Sequence, residues 1–110
     1  MELETDGIRF ERGTSDLQGA SGATLDALAD AIHAGGDGSL ALVRVSLEPD
    51  PDACSGDPLA RRRAEAIRAA LLARGVPATR VRSEGVSGRS PGCAPVLASR
   101  STVSVELVPP

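Results

Sequence analysis

The sequence predicts an α+β domain, an α/β sandwich in which two main helices cover one face of a four-stranded mixed sheet, in the order strand, helix, strand, helix, strand, strand. Three observations lead there. Residues 39–47 and 102–107 alternate apolar and polar side chains, the period of a strand with one dry and one wet face. Two longer stretches carry apolar residues at helical spacing: Leu25, Leu28, Ala29 and Ile32 in the first, and Leu59, Ile67, Ala70 and Leu71 in the second. Glycine and proline clusters lie between these stretches and mark their ends.

Taken in order, Ile8-Arg9-Phe10-Glu11 alternates and reads as a short strand with Ile8 and Phe10 inward, broken by Gly13-Thr14-Ser15-Asp16. Ser21 is the expected cap of the first helix and Gly35-Gly36 its stop. His33, in its last turn, suits the negative end of the helix dipole and is assigned no chemistry. Ser39 to Leu47 is the clearest strand, with Val43, Val45 and Leu47 facing the core. It runs into Glu48-Pro49-Asp50-Pro51-Asp52, where the prolines forbid further ladder pairing.

The second helix is expected from Asp57 and Pro58 to Leu72, with Asp57 accepting orphan amides, Pro58 at the first helical position and Gly75-Val76-Pro77 as the stop. It holds an anomaly. At about 100° per residue, Arg63 falls on the apolar face with Leu59, Ile67 and Leu71. Arg61, Arg62 and Arg63 also crowd the first turns, where the dipole favours anions. Two accounts are open: Arg63 snorkels with its head in water, or it recognises an anion. Thr79 to Glu84 then reads as a strand with Val81 inward, Gly85 to Gly92 as a turn-rich loop, and Thr102 to Leu107 as the last strand. Right-handed crossovers would send the loops after the second and third strands out at the same end, gathering the acidic loop, the arginine-rich helix start, Cys54 and Cys93.

At 110 residues the chain supports one core, read as a domain over 7–108 with short tails at 1–6 and 109–110. Its apolar and charged fractions, 41% and 25%, are those of a globular protein. Phe10 is the sole aromatic residue and the net charge is -3, so stacking surfaces and phosphate attraction are both missing and nucleic acid is excluded as a partner. No apolar run reaches membrane-span length, and Met1-Glu2-Leu3-Glu4-Thr5-Asp6 lacks the basic start and apolar centre of a signal peptide. A soluble chain is expected, standing alone or as a domain of a longer exported protein. Cys54 and Cys93 lie in loops and fit either a disulfide or two free thiols. A bond would close a loop of about 40 residues, worth about 4 kcal/mol in the chain-entropy model. No metal site or cofactor is indicated, and no Ser, His and acid arrangement suggests a hydrolase.

These residues resemble the OmpA-like peptidoglycan-binding domain shared by outer-membrane proteins, peptidoglycan-associated lipoproteins and flagellar stator proteins. Ile8-Arg9-Phe10 with Leu17 and Leu25-Asp26-Ala27-Leu28-Ala29 is similar to the family's opening strand and helix. Leu59-Ala60-Arg61-Arg62-Arg63-Ala64, with Ile67, Leu71 and Gly75-Val76, resembles its Leu-Ser-x-x-Arg-Ala helix and following turn, and Arg82-Ser83-Glu84-Gly85 with Pro91 is also family-like.

The resemblance implies a noncatalytic module that grips the diaminopimelate of the peptidoglycan stem peptide and tethers a parent protein to the wall from the periplasm or cell envelope. The helix arginine, Arg63 by position, takes the ligand carboxylate, and an acid after the second strand takes its ammonium. That acid is Glu48 in a gap-free match, or Asp50 if the loop shifts, where the family reads Gly-x-Thr-Asp. Asp57 and Arg100 complete the expected ligand set, and the family's closing Arg-Arg-Val becomes Arg100-Ser101-Thr102-Val103 here. The family's Asn and Ser fall on Gly56 and Ala60. The alternative is a degenerate domain without wall binding that serves as a structural or protein-protein module, with Arg63 tied up by Glu48 or Asp57. Other envelope proteins are a second partner class.

Overall fold

Leu40–Glu48 (β2) is the spine of the sheet, because its alternate residues Ala41, Val43, Val45 and Leu47 are all fully buried. The computed structural model describes residues 2–36, 38–48, 50, 58–87 and 100–109, with Glu48, Ser87 and Arg100 described in backbone only. Around β2 lie Glu2–Leu3 (β1), Ser21–Ala34 (α1), Leu59–Leu72 (α2), Val81–Ser87 (β3) and Arg100–Val108 (β4). The strands stand in the order β1, β4, β2, β3. β2 and β3 are parallel, while β4 is antiparallel to both β2 and β1. The expected α+β sandwich with two helices and a four-stranded mixed sheet is therefore present.

The helices supply the other half of the core through Leu25, Leu28, Ala29 and Ile32 of α1 and Leu59, Ala60, Ala64, Ile67 and Leu71 of α2. Burying side chains the size of Leu59, Ile67 and Leu71 stabilises the fold by about 1.5–3 kcal/mol each. On the opposite sheet face, Arg44 and Glu84 are register partners joined by a half-exposed 3.0 Å ion pair. Such a pair contributes at most about 1 kcal/mol.

Several local expectations need correction. Residues 8–11 do not form the first strand: Phe10 makes one bridge to Leu17, and the strand that joins β4 is Glu2–Leu3, within the stretch read as a tail. Leu3 sits opposite Val105 and packs on the core, which gives so short a strand its purchase. Ser21 does not cap α1 but is its first residue. Its buried hydroxyl accepts from Arg9 N–H at 2.8 Å and donates to Arg9 C=O at 2.9 Å, fastening the 8–10 segment to the helix. At the far end of α1, the Arg80 guanidinium donates to the carbonyls of Ile32 and Gly36, both at 2.7 Å, and satisfies acceptors the helix leaves open.

β3 starts at Val81, after a 3-10 turn at Ala78–Arg80, and continues through Gly85 to Ser87 where a loop was expected. The reason is close approach. A Cβ on Gly85 would stand 2.3 Å from the Arg61 nitrogen and Cα and 2.7 Å from the Ala60 carbonyl carbon, so only glycine lets the start of α2 lie on this strand. The expected glycine stop of α2 is present: Gly75 has φ 89°, its N–H donates to Leu72 C=O, and Val76 N–H donates to Leu71 C=O. That is the paired bonding of a Schellman ending.

Register places one end of the sheet under the start of α2. Leu47 pairs with Ser87 and Glu48 with Arg100, so β2 and β3 finish where β4 begins.

Candidate functional site

The start of α2 is held from a distance. Pro58, with ψ 139°, is the cap residue instead of the first helical one, and Asp57 lies outside the described residues. The amide of Ala60 is instead taken by Asp50, which is fully buried and accepts through Oδ2 at 3.0 Å. A carboxylate here answers both the orphan amides and the positive end of the helix dipole. It also sits beside the first turns that carry three arginines, the compensation the sequence lacked locally.

Arg63 follows one turn later and is only 7% exposed. Its position on the apolar face is thus a buried one, and three features hold it there. Its Nε donates to Thr14 C=O at 2.8 Å. Its guanidinium carbon lies 4.8 Å from the centre of the Phe10 ring, a cation–π contact worth about 1–2 kcal/mol at a desolvated site. Burial lowers the Arg63 pKa, and the nearby Asp50 carboxylate opposes this by favouring the charged form. An arginine remains charged under such a pull, so the result is a fixed, desolvated cation.

Its two partners are themselves anchored. Glu11 N–H donates to Asp16 C=O at 2.7 Å, Thr14 N–H to Glu11 C=O at 3.0 Å, and Gly13 turns the chain with φ 73°. That turn aims Thr14 C=O at α2. Phe10 C=O accepts from the Gln18 side chain at 3.3 Å, which keeps the ring beside the bridge to Leu17.

Arg63 lines a cavity of about 680 Å³ with Thr5, Asp6, Ile8, Arg9, Phe10, Ser101, Thr102 and Val103. One wall is the opening of β4, another the 5–10 segment, and the third is Arg63. Positive groups from Arg9 and Arg63 thus share the space with the carboxylate of Asp6. Such a lining accommodates a small zwitterion, whose carboxylate meets guanidinium N–H donors while its ammonium meets an acid.

Of the expected ligand set, Arg63 and Asp50 are brought into electrostatic contact. Glu48 and Arg100 are register partners at the adjoining ends of β2 and β4, next to cavity-lining Ser101. Asp57, Cys54 and Cys93 lie outside the described residues. Sequence reasoning missed Asp6, Arg9, Ser101 and Thr102 as cavity residues and Phe10 as the partner of Arg63. Phe10, the sole aromatic residue in a chain with a buried arginine, was the available signal. Among the described residues no helix is long and apolar enough to cross a membrane, and no three His, Cys, Asp or Glu side chains gather as metal ligands.

A family model described as the OmpA family matches residues 9–95, a span that contains Phe10, Thr14, Asp50 and Arg63. No curated protein matches the chain.

Proposed function

The chain belongs to the OmpA family, whose domains are in general noncatalytic peptidoglycan-binding modules of the cell envelope, and from that membership we propose that it binds the diaminopimelate of the stem peptide and tethers a parent protein to the wall. The observation that carries this reading is Arg63: a cation on the apolar face of α2, oriented by Thr14 and Phe10 and lining a cavity large enough for an amino-acid head group. The bond to Thr14 uses Nε–H, one of five guanidinium donors. Two terminal nitrogens suit a bidentate grip on a carboxylate, which a lysine head cannot reproduce.

In this reading Asp50 works behind Arg63. It fixes the start of α2 and supplies the countercharge that lets a guanidinium stay ionised while buried. Glu48, Asp57 and Arg100 complete the proposed ligand set. Cys54 and Cys93, if bonded, would tie together the stretches of sequence that follow β2 and β3.

A second reading is favoured by the internal ties of Arg63 to Thr14, Phe10 and Asp50, which suit a domain that keeps the arginine for stability and serves as a structural or protein-protein module. Co-sedimentation with purified peptidoglycan separates the two. Wall binding predicts that the protein sediments with diaminopimelate-type peptidoglycan and stays in the supernatant with the lysine type, which lacks the side-chain carboxylate. Equal behaviour with both types overturns diaminopimelate recognition.

A further inference from the structure

We propose that Asp6 is the residue that receives the ligand's side-chain ammonium, and so sets specificity for a zwitterionic side chain; this rests on the wall-binding reading above. Among the described side chains near Arg63 two acids come into question, Asp50 and Asp6. Asp50 is fully buried, with Oδ2 committed to the Ala60 amide, so it acts through the helix and through Arg63. Asp6 is exposed and lines the same cavity as Arg63, where it is the one acid among the described lining residues.

The chain around Asp6 is built to hold it there. Ile8 N–H donates to Thr5 C=O at 3.0 Å, closing a turn with Asp6 and Gly7 at its tip. Asp-Gly suits such a tip, because an aspartate bonds its own backbone readily and a glycine accepts the turn geometry. Thr5 Oγ1 donates to Val103 C=O at 2.9 Å and pins the turn to β4. On the other side, Gly7 lies against Thr24 of α1, so close that a Cβ would collide with the threonine hydroxyl. Asp6 is thereby set on a turn anchored to β4 before it and α1 behind it, in the lining of the cavity that Arg63 shares.

Glu4 stands beside this group. Its carboxyl is raised above the ordinary range, first by a hydrogen bond to Asp6 and then by repulsion from it. Asp6 also precedes residues 9–95, the stretch that matches the family model, so it is a contribution of this chain's own opening segment.

The test is a titration of the full chain with a soluble stem tripeptide ending in diaminopimelate, and with the same peptide acetylated on its side-chain amine. Asp6→Asn should weaken binding of the free-amine peptide about tenfold, as for loss of a charge-assisted bond. Acetylation should weaken the wild type by a similar factor and leave Asp6→Asn unchanged, because the two losses remove one contact. Asp6→Glu should restore most of the affinity, while Glu106→Gln, the same charge change on the open sheet face, should have no effect. If the wild type binds and Asp6→Asn binds as well, the assignment of Asp6 is overturned and the wall-binding reading stands. If the wild type binds neither peptide, both are overturned.

Discussion

Replacing Gly85 by alanine tests the link between the fold and the site in one step. The new Cβ would meet main-chain atoms of Arg61 at 2.3 Å and of Ala60 at 2.7 Å, against about 3.4 Å or more for an ordinary contact. Because these are helix backbone atoms and not the end of a flexible side chain, relief requires the first turn of α2 to lift by about 1 Å. Leu59 and Ala60 in that turn and Ala64 in the next are at most 1% exposed, so any lift opens the core beneath them. Overpacking of this kind costs about 1–3 kcal/mol, and a main-chain clash belongs at about the upper end. For a domain near this size about 3 kcal/mol lowers Tm by about 15 °C. Circular dichroism at 222 nm through a thermal ramp measures it, with Gly19→Ala as the control, since nothing lies within 4 Å of a Cβ there. Gly19→Ala should be neutral or slightly stabilising. A Gly85→Ala variant within 1 kcal/mol of the wild type would refute the close approach of α2 to β3 and with it the placement of Arg63.

Two further predictions concern the charges. Asp50→Ala should lower stability to urea by about 3 kcal/mol, about 1 from the lost helix cap and the rest from leaving the Arg63 cation without its countercharge. Asp50→Asn, which keeps an oxygen for the Ala60 amide, should lose less than the alanine variant; equal losses would mean that the countercharge alone accounts for the residue. By NMR titration, Glu4 should take up its proton above the ordinary carboxylate range, because the hydrogen bond to Asp6 and repulsion from it favour the protonated form. A raised folded-state value means that the native chain binds this proton more tightly than the unfolded one, so the contribution is present at low pH and lost as pH rises through that value. In Asp6→Asn the Glu4 value should return to the ordinary range, and persistence of the shift would contradict the Glu4–Asp6 contact.

The elements that were legible are those whose signal is local. Alternation from Val43 to Leu47 and from Val103 to Leu107 marked the two central strands, and the glycine at 75 marked the end of α2. Arg63 was legible as an anomaly, a charge at an apolar position. What was hidden is tertiary. Glu2–Leu3 is too short and too polar to announce a strand, and its pairing depends on β4, about a hundred residues later. Asp57 was the nearest available cap, but the structure gives the Ala60 amide to Asp50, ten residues back in sequence. Gly85 looks like a strand breaker until the helix lying over it is known. In the same way Ser21 reads as a cap because its type suits one, whereas burial against Arg9 uses both of its bonding capacities elsewhere. The cavity draws on residues from the two ends of the chain, Thr5 to Phe10 and Ser101 to Val103, which no local window brings together.

The central claim is that the guanidinium of Arg63, and not merely its charge, holds the wall ligand. The most direct measurement is retention of the wild type and Arg63→Lys on diaminopimelate-type peptidoglycan, each first shown by circular dichroism to be folded. Lysine keeps the charge but presents a compact ammonium in place of the planar fork. The account predicts that the wild type is retained and that folded Arg63→Lys is largely released. Retention of Arg63→Lys at the wild-type level, or no retention of the folded wild type, would contradict it.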